Sequence, residues 1–363
     1  MKKKSYLIIL IILACTQLTG CSYFPQIEDF SKVISGEASQ EAKVLENELQ
    51  QMREEVADYF YYQQLDTDEE RRVYLQLANG LRTFKQQITI DRVDDETYTR
   101  AFFSVANDFP EYYWMTDAMR DGIDYQDLSE PDYPLQVEEE SEKIATLAQS
   151  IVSQAPKDHV YDTVKFFYEY IIQHTDYNLA ALSDSQISWD NQSIKSVLLD
   201  NSSVCAGYSR TFQYLCKLAG IEAVYVSGNV IGTNGETIEH AWNLVKIDQQ
   251  YYGVDSTWGD PVFEEAMGSQ AQSTISYDYL CVPDSILYRN RVADADLLSY
   301  WGTEYPYTER PLVYPSCTDN ALNYYVQQGT YFENFDEELV VQTVSNLYQA
   351  GQRRIACQFS NQA

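Results

Sequence analysis

Between Asn201 and Pro261 the hydrophobic pattern changes period, from helical to alternating, and this constrains the fold more than any other feature of the chain. Asn201, Ser202 and Ser203 are residue types favoured at a helix N-cap, and the apolar Tyr208, Phe212, Leu215, Cys216 and Ala219 recur at helical spacing after them. Gly220 supplies the stop. From Ile238 to Ile247 the chain alternates instead, with His240, Trp242 and Leu244 on one face and Ala241, Asn243 and Val245 on the other. Asp248, Gln249 and Gln250 form a turn, and Tyr251 to Thr257 reads as a second strand, so the two strands are expected to form a hairpin.

These elements carry a thiol, an imidazole and a carboxylate. Cys205 falls in the first turn of the helix, where free N–H groups and the helix dipole favour an anion. Gly207 is expected to leave the space beside the sulfur open to a substrate backbone. Folding back at the turn brings Asp255 close to His240 or Trp242. A carboxylate there accepts a proton from the imidazole, fixes its tautomer and leaves the other ring nitrogen for Cys205. The contact between helix and hairpin is long-range and does not follow from spacing. Together the three residue types are the parts of an activated cysteine nucleophile. Cys216 lies on the core face of the helix, roughly 16 Å along it from Cys205, too far for a disulfide. His174 closes a helix, where a cation suits the dipole, and His159 is expected in solvent near a helix start, so His240 is the expected base.

The run VCAGYSRTFQYLCKLAGIEAVYVSG, followed by HAWNLVKIDQQYYGVDSTWGDP, resembles the core of the bacterial transglutaminase-like superfamily. The resemblance covers roughly residues 160–261, including the upstream VYDTVKFFYEYIIQHTDY. It implies an α+β, papain-like architecture, in which a helix bearing the cysteine packs on an antiparallel sheet bearing the histidine and aspartate. It further implies acyl-transfer chemistry with Cys205 as nucleophile, His240 as base and Asp255 as its orienting partner. Trp242, Trp258 and Asp260 belong to the same pattern. All three are possible site-lining residues; Trp258 covers the site or packs beneath it, and Asp260 is expected to tie down the following turn. The backbone N–H of Cys205 is an expected oxyanion donor; no residue between Tyr177 and Asn201 identifies itself as a second.

The first 21 residues bear on where such an enzyme works. Lys2, Lys3 and Lys4 precede an apolar run from Tyr6 to Ala14, too short to span a bilayer and flanked like a signal peptide. Leu18-Thr19-Gly20-Cys21 resembles a bacterial lipobox, which implies cleavage before Cys21, lipidation of its thiol and an anchor on the outer face of the cell membrane. The formal net charge of −30 makes the chain a poor non-specific ligand for nucleic acid. It also sets the body against anionic lipid, so the expected membrane attachment is the lipid alone.

Five units are expected: a signal peptide at 1–21, a tether at 22–40, a mainly helical region at 41–140, the catalytic core at 141–290 and a small α/β extension at 291–363. The helical region contains DFPEYYW at 108–114. Residues 121–140, acidic and proline-bearing, are expected as a loop. The 31 tyrosines either fill packing surfaces between units or offer stacking surfaces to sugar or peptide. No cysteine or histidine spacing matches a zinc site and no calcium loop is present, so neither metal nor cofactor is expected. Cys317 and Cys357 share the C-terminal region and are candidates for pairing, with connectivity open.

The expected function is a lipid-anchored, extracytoplasmic cysteine enzyme acting on amide bonds of proteins or peptides, cell-wall peptide among them, through a thioester. Water as acceptor makes it a hydrolase and an amine makes it an acyltransferase; hydrolysis is the default. Two alternatives stand beside it: a catalytically silent peptide- or glycan-binding module of the cell envelope, and a scaffold in which the acidic N-terminal helices do the binding.

Overall fold

The computed structural model describes residues 27–85, 88–115, 133–232, 235, 237–260, 275–297 and 310–360. Cys21, the expected signal peptide and Pro261 lie outside them. The chain divides into two compact units, residues 1–51 and 52–363. What is described of the first belongs to helix α1 (Ile27–Glu55), whose first turns fall in the stretch expected as a tether. Among the described residues no helix is long and apolar enough to cross a membrane.

The second unit begins with helices α2 (Asp68–Arg82) and α3 (Asp95–Asp108). A capping box starts α2: Thr67 Oγ1 accepts from the Glu70 N–H at 3.1 Å, and Glu70 Oε2 accepts from the Thr67 N–H at 3.1 Å. The other carboxylate oxygen of Glu70 is also used. It lies 3.3 Å from Arg100 Nε of α3 and 2.8 Å from Arg310 Nη1, so one buried residue ends a helix and joins two distant segments. Helices α4 (Tyr133–Gln154) and α5 (Val160–His174) follow, and α4 begins inside the stretch expected as a loop.

Helix α6 (Cys205–Leu218) and a five-stranded antiparallel sheet form the centre. The strands are β1 (Ala223–Ile231), β2 (Thr237–Ile247), β3 (Gln250–Val254), β4 (Leu280–Val282) and β5 (Arg291–Ala293). Their order is β4-β3-β2-β1-β5, so β2, which carries His240, is central. From His240 to Val245 it is buried on both faces. The expected hairpin is present as β2–β3, with Ile247 facing Gln250. Its turn is only Asp248 and Gln249, both at positive φ (48° and 69°), the two-residue geometry that matches strand twist. Strand β5 carries the sheet past residue 290, into the stretch assigned to the extension.

Helix α6 ends as expected. Gly220 takes φ +73°, its N–H donates to the Lys217 carbonyl, and the Ile221 N–H donates to the Cys216 carbonyl at 2.9 Å. The start differs from expectation. The N-cap is Val204, with no side-chain cap. Ser203 turns away, donating from Oγ to the Asn191 carbonyl at 2.9 Å and meeting Ser196 Oγ at 2.7 Å. Gly207 also has a role other than the expected one. A Cβ there would collide with Ser203 Oγ and stand 2.9 Å from Ser196 Oγ. Its bare Cα lets the helix sit on the segment that leads into Cys205; it does not open space at the sulfur.

The tyrosines largely pack. Tyr61, Tyr74, Tyr168, Tyr208 and Tyr225 are among the largest fully buried side chains. The pairing left open for Cys317 and Cys357 is not formed: Cys205, Cys216, Cys281, Cys317 and Cys357 are all free thiols. Cys317 is held beside Asp284, its N–H donating to Oδ2 at 3.1 Å, whereas Cys357 lines a separate cavity.

Gly207→Ala tests the close approach of α6 to Ser203. Overpacking of this kind costs about 1–3 kcal/mol. Thermal unfolding should show a matching loss, smaller in a Gly207→Ala, Ser203→Gly double variant.

Candidate active site

Three sets of contacts hold helix α6 in place, one of them on the sheet, all between residues far apart in the chain. Asn243, fully buried on β2, donates from Nδ2 to the Ser209 carbonyl of α6 at 3.0 Å. On the outer side of α6, Arg210 donates to the Ala106 carbonyl and to Asn107 Oδ1, and Gln213 Nε2 donates to the Asn107 carbonyl at 2.7 Å. The hydroxyl of Tyr208 reaches Asp260 Oδ2 at 2.6 Å. Asp260 is therefore tied to the helix; the turn it was expected to hold lies outside the described residues. These bonds satisfy buried polar groups, and losing one partner leaves the other unsatisfied at a cost of about 1–3 kcal/mol.

Cys205 thus stands at the first residue of α6, packed against Ala206, Tyr225 and Ala241. It is hydrogen-bonded with His240. On the far side of the ring, His240 Nε2 lies 2.8 Å from Asp255 Oδ2. With Nε2 committed to the carboxylate, Nδ1 is the ring nitrogen left for the sulfur. Asp255 is one residue beyond Val254, which faces Asn243, so its side chain reaches diagonally to His240, one of the two neighbours expected.

Asp255 is fully buried, and three groups besides water's absence set its state. Burial pushes its carboxyl up, but His240 and Arg291 outweigh that and hold it below its ordinary value of 3.8. The Trp258 N–H donates to Oδ1 at 3.2 Å, and a guanidinium nitrogen of Arg291 donates to Oδ2, the oxygen that also meets His240. His240 shows the reciprocal effect. Burial pushes it down, yet the charge and hydrogen bond of Asp255, with a further contribution from Cys205, raise it to about 9.

Arg291, on edge strand β5, was not singled out from the sequence. Its guanidinium is fully buried, 4.1 Å from the ring centre of Tyr279, 5.5 Å from that of Trp242 and 5.9 Å from that of Trp258. Aromatic faces stabilise a desolvated cation. Trp242 and Trp258 therefore serve the site from beneath: neither lines the cleft at Cys205, and nor does Asp260.

That cleft measures about 310 Å³ and exposes Cys205 and His240 beside Tyr177 and Gln192. A two-residue bridge places Tyr177: Asp176 and Tyr177 pair in parallel with Ser202 and Ser203, just before Cys205. Burial, then the charges of Cys205 and Asp255, push the Tyr177 phenol well up, so it stays neutral. A larger cavity of about 830 Å³, lined by Asp176, Asp260, Tyr277 and Tyr324, contains Cys357 but no histidine. Cys205 and His240 are in the smaller one. Among the described residues no cluster of acidic, cysteine and histidine side chains is placed to hold a metal.

Residues 145–256 match the transglutaminase-like superfamily model, and this stretch contains Cys205, His240 and Asp255. The chain thus carries a transglutaminase-like superfamily domain on a mixed α+β fold. It is 28% identical over 159 residues to the human kyphoscoliosis peptidase, covering 41% of this chain and 23% of that protein. To the mouse kyphoscoliosis peptidase it is 29% identical over 122 residues, covering 31% and 18%. The chain spans less than a quarter of the length of these relatives. A crystal structure of a TGase aligns at 19% identity over 41% of this chain and 38% of that one, with a TM-score of 0.30.

Removing one partner of a buried ion pair costs about 3–5 kcal/mol. Arg291→Met should lose stability on this scale in urea unfolding at neutral pH. The depressed Asp255 carboxyl contributes stability that is present above 3.8 and lost as the pH falls through its lower folded value. The difference between wild type and Arg291→Met should therefore shrink in acid.

Proposed function

We propose that Cys205, His240 and Asp255 are the catalytic residues of a cysteine enzyme acting on amide bonds of proteins or peptides. The observation that supports this most strongly is the continuous hydrogen-bonded series from the sulfur through the imidazole to the carboxylate, opening at its sulfur end into a cleft. An imidazolium beside the sulfur favours the thiolate, the nucleophilic form.

In this reading the sulfur attacks the carbonyl carbon and forms the C–S bond. The oxyanion is met by first-turn N–H groups of α6, which have no intrahelical acceptor and no side-chain cap. The C–N bond breaks, and the departing nitrogen takes the proton from His240. The thioester then meets water or an amine. His240 accepts the incoming proton, the C–S bond breaks, and the thiolate–imidazolium pair is restored. Asp255 keeps the ring oriented and compensates its charge throughout. The cleft is open to solvent, which favours water as the acceptor and a peptidase or amidase as the activity.

The site of action in this proposal is the outer face of a bacterial cell membrane. The sequence supports this: a lysine-led apolar leader ends in Leu18-Thr19-Gly20-Cys21. The substrate would be a protein or peptide reachable there, cell-wall peptide included.

Mass spectrometry of iodoacetamide-treated protein at pH 7 tests the assignment. Cys205 should label fastest of the cysteines, and His240→Ala should slow that labelling by at least about tenfold. Loss of a general acid–base lowers turnover by about 10²–10⁴-fold, so peptide turnover should fall by that factor in His240→Ala and vanish in Cys205→Ala. A Cys205→Ala protein with full biological effect would favour the binding module instead. For the anchor, Cys21→Ala should move the protein from the membrane fraction to the soluble one; unchanged fractionation would refute lipid attachment at that residue.

A further inference from the structure

The sheet face that receives helix α6 continues past the nucleophile. Tyr225 faces Asn243, Ser227 faces Ala241 and Asn229 faces Glu239, so these residues share one side of β1 and β2. Beyond Cys205 that side is polar and becomes the floor of the cleft. Asp294, immediately after β5, joins it. Its N–H donates to the Ser227 carbonyl at 2.9 Å, and its carboxylate accepts from the Ser227 side chain. Burial raises the Asp294 carboxyl, and the nearby charge of Glu239 raises it further. Two carboxylates therefore line the cleft that holds the sulfur. No lysine or arginine is among the residues that line the cleft. Among the described residues neither carboxylate has a salt-bridge partner.

Like charges placed together between low-dielectric walls are relieved by a cation, and such walls concentrate the field they produce. We infer that the cleft selects peptides bearing a lysine or arginine side chain next to the amide attacked by Cys205, with Glu239 and Asp294 as the specificity-determining residues. This rests on the reading of Cys205 as the nucleophile. The cation belongs to the acyl donor rather than to an attacking amine. An amine must be unprotonated to resolve a thioester, and two carboxylates would hold it protonated.

Three tripeptidyl chloromethyl ketones, differing only in a lysine, norleucine or glutamate side chain next to the reactive carbon, test this, with iodoacetamide as the reagent lacking a side chain. The readout is the rate of labelling at Cys205. The lysine reagent should label at least about tenfold faster than the norleucine one, with glutamate slowest. Glu239→Gln and Asp294→Asn should each shrink the lysine-to-norleucine ratio by about threefold or more, and Glu239→Lys should invert it. Glu239 is exposed, so its variants remain informative even if Asp294→Asn does not fold. Neutralising one carboxylate barely alters a net charge of −30, so a loss of preference would be local. Fast iodoacetamide labelling with a ratio near one, or a ratio unmoved by Glu239→Gln, overturns the inference while leaving the nucleophile standing. Slow iodoacetamide labelling of Cys205, no faster than that of Cys357, removes the nucleophile and the inference with it.

Discussion

One buried oxygen holds this site together. Asp255 Oδ2 meets both His240 Nε2 and the guanidinium of Arg291, with solvent excluded from all three side chains. A buried carboxylate with a single partner would be a costly charge, and a buried guanidinium without one costlier still. Each of the three makes the others tolerable. Asp255 stays ionised because two cationic groups face it, and His240 stays protonated because that ionised carboxylate faces it. Arg291 is further held by the faces of Tyr279, Trp242 and Trp258. The imidazole thereby gains both its orientation and its charge from strands on either side of β2.

The sulfur reaches that imidazole only because α6 is pinned from several directions. Asn243 fixes it to the central strand, and Tyr208 links it to Asp260 beyond the hairpin. Arg210 and Gln213 dock it on the end of α3, within the stretch that continues into DFPEYYW. Helix α3 thus forms the outer support of the helix that carries Cys205.

How much of this was legible follows from how local each feature is. The period of α6, its glycine stop and the β2–β3 hairpin depend on neighbours in the chain and were readable from spacing. So was the nearness of Asp255 to His240 or Trp242, since the chain folds back at the turn; the two-residue turn of the structure fixes the register that decides between them. Arg291 was not, because it lies 36 residues beyond Asp255 in a stretch without a turn or motif signal. A buried arginine flanked by an alternating short strand was the one trace available. Gly207 and Ser203 were misassigned for a related reason. Their partners, Ser196 and Asn191, are placed by a tertiary turn that no cap rule anticipates. Trp242, Trp258 and Asp260 were read as possible site-lining residues; the two tryptophans instead face the buried Arg291, a contact that only packing shows.

The central claim is that a shared, buried carboxylate keeps His240 charged. With only three histidines in the chain, proton NMR of the imidazoles against pH, assigned with a His240→Gln variant, reads this directly. The account predicts a His240 midpoint near 9 in the wild type, falling when Asp255 is replaced by asparagine. A wild-type midpoint at or below 6.5, unmoved by that replacement, would contradict it.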